Sequence, residues 1–294
     1  MSANIVHEPE ILIKLPNYAE PLEGRHSVVI IGPNGAGKTT VGVEIFKLNR
    51  PAASRIPAKR VIDVSTISHT PTDYAEQQLT QITQQHEEKP YLQIEEIAPL
   101  LATLKSEHVG NAVKYRDSAL NGIADATALQ KTKIEQVKES WDNLLPSREI
   151  NLLANDTDSH MVSPTVKNEK AKEPYTVQQM SDGEKAVLYM LAKVFDAPAG
   201  ILVIDEPETH LHAALAEKLW DELESKRPDC RFVYITHDIP FALSRRNAQF
   251  IICKDKLSLE VLEHGINNGI PVDVQQAILG ARTFSLLYRV RCYL

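Results

Sequence analysis

Cysteine is scarce in this chain: Cys230, Cys253 and Cys292 are few, far apart and odd in number. That pattern gives neither a disulfide framework nor a Cys-rich zinc site. Long apolar runs are also missing, and no stretch approaches the roughly 20 apolar residues that cross a bilayer. A membrane role would need a separate partner. Positive charge is in deficit, with a net charge of −7, which argues against a protein that coats nucleic acid through its phosphates. A local basic patch stays open. The cysteine usage fits a reducing cytoplasm, and the opening residues, Met-Ser-Ala-Asn-Ile-Val-His-Glu-Pro-Glu, lack the basic start and apolar run of a secretory signal. No internal repeat of useful period is visible.

What is present is an ordinary globular composition in 294 residues, enough for one large or two ordinary domains. Ser27-Val28-Val29-Ile30-Ile31 is continuously apolar and β-branched, the pattern of a strand buried on both faces of a parallel sheet. A glycine-rich turn and a helix starting near Lys38 follow, and Arg60 to Ser65 suggests the next strand. From about Thr72 to Pro146 the apolar spacing becomes helical. Ile94, Ile97, Leu101 and Leu104 step by three, four and three, as do Ile134, Val137, Trp141 and Leu144. These predict two amphipathic helices of an inserted subdomain, their stripes serving either the core or a partner.

Glu149 to Leu153 and Tyr175 to Val177 predict a hairpin around a polar loop. The loop holds Lys167, Lys170 and Lys172 among Glu169 and Glu173, a solvated surface or a contact with a nucleic-acid backbone. Two more strands, Gly200 to Ile204 and Arg231 to Ile235, flank a helix on which Leu211, Leu215, Leu219 and Leu223 recur every four residues. Alternating strands and helices imply a mainly parallel α/β sheet with ligands beyond the carboxyl ends of its strands. The expected organisation is residues 1–71 and 147–270 as two parts of one core, 72–146 as the helical insertion, and 271–294 as a truncated or diverged tail.

Gly32-Pro33-Asn34-Gly35-Ala36-Gly37-Lys38-Thr39, after a strand and before a helix, is the P-loop pattern. Its backbone N–H groups and helix N-terminus surround phosphates, and glycines permit a close approach that a Cβ obstructs. Lys38 would neutralise β- and γ-phosphate charge, while Thr39 would offer its hydroxyl to Mg²⁺. The strand Ile201 to Ile204 ends in Asp205-Glu206. Asp205 suits Mg²⁺, and Glu206 suits orienting or deprotonating the attacking water. Met180-Ser181-Asp182-Gly183-Glu184-Lys185 precedes a helical run. Ser181 is there either a helix cap with Glu184 in the first turn or, with Gly183, an anion contact. Thr236-His237-Asp238 closes the last strand, placing an imidazole to touch a terminal phosphate or simply to pack.

In this order the motifs resemble those of the ATP-binding-cassette ATPases over about residues 25 to 255. The resemblance implies an α/β P-loop NTPase head with an inserted helical subdomain, binding ATP and Mg²⁺ and hydrolysing ATP. Its nucleotide contacts would be Gly32, Pro33, Asn34, Gly35, Ala36, Gly37, Lys38, Thr39 and Thr40, with Thr39 and Asp205 at the metal. Glu206, Lys38 and His237 would carry catalysis, His237 as the switch histidine. Ser181 and Gly183 would form the signature, which in this family closes over ATP held by another protomer. Self-association through an ATP sandwich follows.

Ser181-Asp182-Gly183-Glu184-Lys185 with Asp205-Glu206-Pro207-Glu208-Thr209-His210-Leu211-His212 further resembles the soluble overcoming-lysogenization-defect type and related phage-defence ATPases. DNA-repair and chromosome-maintenance ATPases are more distant relatives. In the nearer groups Glu-x-His-Leu-His helps form the dimer contact; His210 and His212 as metal ligands is the competing use. These ATPases work with a Toprim-type nuclease, and Ile278 to Arg282 is similar to the lead into that domain. The chain offers no place for one, so the resemblance implies a separate nuclease effector and a phage protein or DNA as trigger, with no membrane partner. A transporter subunit, a DNA-repair ATPase and a non-hydrolysing scaffold are the alternatives. Gln77 and Gln78 lie in the region of the glutamine loop, and Tyr18 is the candidate for stacking on adenine.

Overall fold

The structure, a computed structural model, describes residues 11–24, 27–58, 77–82, 85, 97–122, 130–153, 164–168, 173–256 and 258–262. The chain divides into two compact units. One comprises Met1–Ala58, Pro198–Thr209 and Glu224–Leu294, and the other Lys59–Ala197 and His210–Leu223.

The first unit is built on strands β1 (Val28–Ile31), β2 (Ala53–Ile56), β6 (Gly200–Asp205), β7 (Cys230–Thr236), β8 (Gln249–Asp255) and β9 (Ser258–Val261). Their order in the sheet is β2-β6-β7-β1-β8-β9. All neighbours run parallel except β9, which is antiparallel to β8. Every residue of β1, β6 and β7 is buried, which is why these segments are apolar runs and not alternating ones. Helix α1 (Lys38–Leu48) packs over β2, β6 and β7, adding Val41 and Ile45 to a core that contains Val28, Ile30, Val203, Val233 and Ile235.

The chain leaves β1 for β2 on the far side of β7 and β6, and later enters β8 on the opposite flank of β1. Connections therefore diverge at β1. A parallel sheet opens a crevice at such a switch point, beyond its carboxyl edge.

In the second unit α2 (Ile97–Leu120), α3 (Lys133–Leu144) and α4 (Asp182–Asp196) pack on one another. On α2 the apolar spacing ends where burial ends: Leu101 and Leu104 are fully buried, whereas Val109 and Val113 are half exposed and Leu120 is 74% exposed. On α3 the buried set Ile134, Val137 and Trp141 follows the expected stripe.

Three expectations are corrected or displaced. The predicted hairpin is a three-stranded antiparallel sheet, β3 (Arg148–Asn151), β4 (Thr165–Asn168) and β5 (Tyr175–Thr176), with β4 in the middle. Its sequence signal is only Val166, buried between polar neighbours, so Lys167 lies on a strand opposite Glu149 and not in a loop. Helix α5 (Ala213–Lys226) starts after Leu211 and buries Ala216, Leu219, Trp220 and Leu223. Steps of three and four follow a 3.6-residue turn, whereas a strict four-residue repeat drifts off the face. Strand β2, in which only Ala53 and Ile56 are buried, is not anticipated by the sequence pattern. The expected strand at Arg60 to Ser65, the helix start at Ile94, Lys170 and Lys172, and the tail 271–294 lie outside the described residues. Among the described residues no helix is long and apolar enough to cross a membrane.

Candidate functional site

The phosphate loop joins β1 to α1 at the switch point. Gly37, the N-cap of α1, has φ +87°, a left-handed conformation that side chains disfavour, and Gly35 has φ +84°. At Gly32 the constraint is space: a Cβ would sit 2.2 Å from the carbonyl oxygen of Cys253 on β8. Helix α1 begins with no side-chain cap and no acidic residue in its first turn, an N-terminus whose N–H groups and dipole suit an anion. Lys38 curls back to donate from Nζ to the carbonyls of Gly32 and Pro33, each at 2.9 Å. Burial lowers the Lys38 pKa, against the pull of Cys253, Asp205, Glu206 and Glu208.

The carboxylates come from the end of β6, two strands from β1. Asp205 is 2% exposed and accepts from Arg55 Nη2 on β2 at 3.4 Å. Arg55 carries no recognisable motif, so sequence reasoning passes over it. Glu206 follows with φ +51°, the left-handed region for a residue with a Cβ, which costs on the order of 1–3 kcal/mol and persists only where neighbours impose it. Here they do. Its N–H donates to Ile235 O at 2.8 Å, its carbonyl accepts from Thr209 N at 3.1 Å, and its carboxylate accepts from the Thr209 hydroxyl at 3.2 Å.

Strand β7 lies between β6 and β1 and supplies His237 just past its end. Its Nδ1 is 3.7 Å from Glu206 Oε1, beyond hydrogen-bond range, and has no hydrogen-bond partner among the described residues. The flanking residues are tied down. Thr236 accepts from Asp238 N at 2.8 Å and donates to Glu208 Oε1 at 2.7 Å, while Asp238 caps helix α6 (Ile239–Ser244) by accepting from Phe241 N. Glu208 is pushed up to about 7, chiefly by burial, with Asp238 and Glu206 adding to it and Thr236 opposing.

Thus Lys38, Thr39, Asp205, Glu206 and His237 gather at the carboxyl edge of three adjacent strands. The cradle fits a phosphate chain, with backbone donors, an ammonium and a bare helix N-terminus. Thr39 and Asp205 offer a hydroxyl and a carboxylate, the hard oxygen donors that Mg²⁺ takes.

The second unit contains Ser181 and Gly183, at the start of α4. Ser181 is the N-cap, its Oγ accepting from Glu184 N at 3.3 Å. The Ser181 N–H and hydroxyl both donate to Glu184 Oε2 at 2.8 Å, completing a capping box. Glu184 also accepts from the Tyr175 hydroxyl and pairs with Arg148 Nε, both at 2.5 Å. Burial works against its charge, but Tyr175, Ser181 and Arg148 outweigh it and hold the carboxyl below its ordinary range. The sequence contains the Ser-to-Glu spacing of the box and the strand that holds Tyr175; nothing in it pairs Tyr175 or Arg148 with Glu184, and both arrive through the three-stranded sheet.

Other candidates are placed as follows. Gln77 and Gln78 are helical and at least partly exposed. Tyr18 is 40% exposed with its hydroxyl on Leu259 O at 2.7 Å. His210 has φ +67°, and no group of three or more His, Cys, Asp or Glu side chains suited to a metal occurs among the described residues.

The strand order and the loop after β1 define an α/β P-loop NTPase with a head of the ABC-ATPase type. The family described as "AAA domain, putative AbiEii toxin, Type IV TA system" matches residues 43–244, more than half of the chain, and the chain belongs to that family. No curated protein matches it. Among solved structures it is similar to an SMC head bound to the C-winged helix domain of ScpA (13% identity, 89% of this chain and 98% of that one, TM-score 0.46). It is also similar to MJ1267, an ATP-binding cassette of an ABC transporter in its ADP conformation (14% identity, 92% and 99%, TM-score 0.46). A third is an SMC head domain with coiled coil and joint from Pyrococcus yayanosii (16% identity, 70% and 37%, TM-score 0.36).

Proposed function

We propose that the chain binds ATP with Mg²⁺, hydrolyses it, and self-associates around it. The observation that carries this reading is the convergence of Lys38, Asp205, Glu206 and His237 on one sheet edge, with Glu206 held in a left-handed conformation by Ile235 and Thr209. Lys38 leaves its loop carbonyls for the phosphates. Glu206 accepts a proton from the attacking water, and His237 donates to a terminal phosphate oxygen. Thr39 and Asp205 would hold Mg²⁺, which would supply neutralising charge to the phosphates.

Self-association is supported by Gly183. Its backbone is not in the left-handed region, and a Cβ there would meet only His210 O at an ordinary 3.5 Å. Among the described residues nothing requires glycine there. A nucleotide seated on a second copy, closing against the N-terminus of α4, would supply the requirement.

Phosphate release by the wild type, and stable ATP-dependent association of Glu206→Gln by sedimentation, are the expected results. Glu206→Gln that remains monomeric in ATP and Mg²⁺ would sink the sandwich; a wild type that releases no phosphate would sink the enzyme.

The biological setting we infer is phage defence, with the ATP-held assembly located in the cytoplasm and gating a separate nuclease. The motif resemblance and a family description that includes a toxin of a toxin–antitoxin system support it. The test is plaque formation on cells carrying the chain with its neighbouring genes. Protection that needs Glu206 is expected, and equal plaque counts with and without the genes would remove the setting while leaving the ATPase intact.

A further inference from the structure

Glu208 has no part in the catalytic roles above, yet it is half-buried beside them and its hydrogen bonding is one-sided. Oε1 accepts from the Thr236 hydroxyl at 2.7 Å, whereas Oε2 is buried with no hydrogen-bond partner among the described residues. Thr236 stands at the last register of β7, level with Ile31 before the phosphate loop. The same Thr236 oxygen accepts from the Asp238 N–H, and the Asp238 carboxylate accepts from Phe241 N to start α6. The backbone on both sides of His237 is thereby fixed, and the anchor at the far end of the chain of bonds is Glu208.

We propose that Glu208 is a positioning residue for His237, acting through the Thr236 hydroxyl to hold the imidazole at the edge of the phosphate site. This rests on the reading of His237 as a contact to the terminal phosphate. Burial favours the protonated form of Glu208, and the charges of Asp238 and Glu206 add to it. What Thr236 needs from Glu208 is an acceptor oxygen, which a neutral carboxyl or an amide supplies equally well. Charge is not required.

The test compares Glu208→Gln, Glu208→Ala and Thr236→Val by steady-state ATP hydrolysis, with the His237 ring followed by NMR in nucleotide-free protein. Misplacing a contact group by about 1 Å costs up to roughly 100-fold in rate. The expected result is that Glu208→Ala and Thr236→Val each lower kcat by roughly 10- to 100-fold with KM changed less than about threefold. Glu208→Gln restores most of kcat, and the Ala/Val double variant is no worse than either single one because both break one chain of bonds. The His237 ring signals shift in the Ala and Val variants and stay close to wild type in the Gln variant. Wild-type kcat in Glu208→Ala, a Gln variant as impaired as the Ala one, or multiplicative losses in the double variant overturn the proposal. If the wild type itself proves inactive, the hydrolytic reading falls, and the NMR comparison still decides whether Glu208 sets His237: unchanged ring signals in Glu208→Ala reject it.

Discussion

Two carboxylates, one in each unit, are treated in opposite ways: Glu184 is buried and Glu208 half-buried. Glu184 is surrounded by donors from Tyr175, Arg148 and Ser181, and stays charged. Glu208 has one hydroxyl donor, faces other carboxylates, and is pushed up to about 7. The first is how a fold secures a helix start: every lone pair is filled and the segment becomes rigid. The second is what a fold tolerates beside the proposed phosphate site, where not every polar atom is satisfied from within the chain. The same contrast holds between Ser181, whose hydroxyl is engaged within its own unit, and His237, whose Nδ1 has no hydrogen-bond partner among the described residues.

The comparison is broken most forcefully at the open site. Glu206→Gln keeps the size of the side chain and its hydrogen bond from Thr209 but loses the base, so kcat falls by roughly 10²–10⁴-fold with the melting temperature nearly unchanged. A melting temperature that falls along with the rate would mean that Glu206 is structural. At the closed site the outcome reverses. Glu184→Ala strands the Tyr175 hydroxyl, the Arg148 guanidinium and the Ser181 N–H, costing on the order of 2–4 kcal/mol in chemical denaturation. A loss under 1 kcal/mol would show that the capping network is ornamental.

How legible each site is from sequence follows from this division. The open site depends on groups that, on the proposed function, meet a nucleotide, and chemistry fixes their types and spacing: Gly32 to Thr39, Asp205-Glu206 and His237 are all visible as strings. The strands that carry them are equally visible because burial on both faces leaves uninterrupted apolar runs. The closed site depends on long-range partners with no local pattern. Arg148 and Tyr175 look like ordinary surface residues until β4 brings β3 and β5 into one sheet, and β4 itself announces only Val166. Arg55 is hidden for the same reason, since its partner Asp205 is 150 residues away.

Acidity separates the two carboxylates in a measurable direction. For Glu184 the folded-state pKa is depressed, so its contribution is full above about pH 4.5 and disappears as pH falls through the lower folded value. For Glu208 the folded-state pKa is raised, so its contribution is full below about pH 4.5 and is lost as pH climbs to about 7. Glu208→Gln should therefore flatten the stability profile between those limits and gain on the order of 2–3 kcal/mol over wild type at pH 8. Urea melts across pH 4.5 to 8 decide it, and parallel wild-type and variant profiles would show that Glu208 ionises freely.

The smallest effect is the most discriminating because stability and association move in opposite directions. Gly183 sits inside the first turn of α4, where alanine is the better helix former by roughly 0.5–1 kcal/mol. The nearest atom to an added Cβ, His210 O at 3.5 Å, leaves room for it. Gly183→Ala should thus raise stability by about that amount in the isolated chain. In ATP the methyl group would stand where a second copy's nucleotide approaches the helix N-terminus. Association of the Glu206→Gln background should then weaken at least about tenfold, the effect of losing some 1.4 kcal/mol of contact. Gain of stability with unchanged ATP-dependent association would mean that glycine at this position serves nothing in the assembly, and that the N-terminus of α4 is simply a helix start.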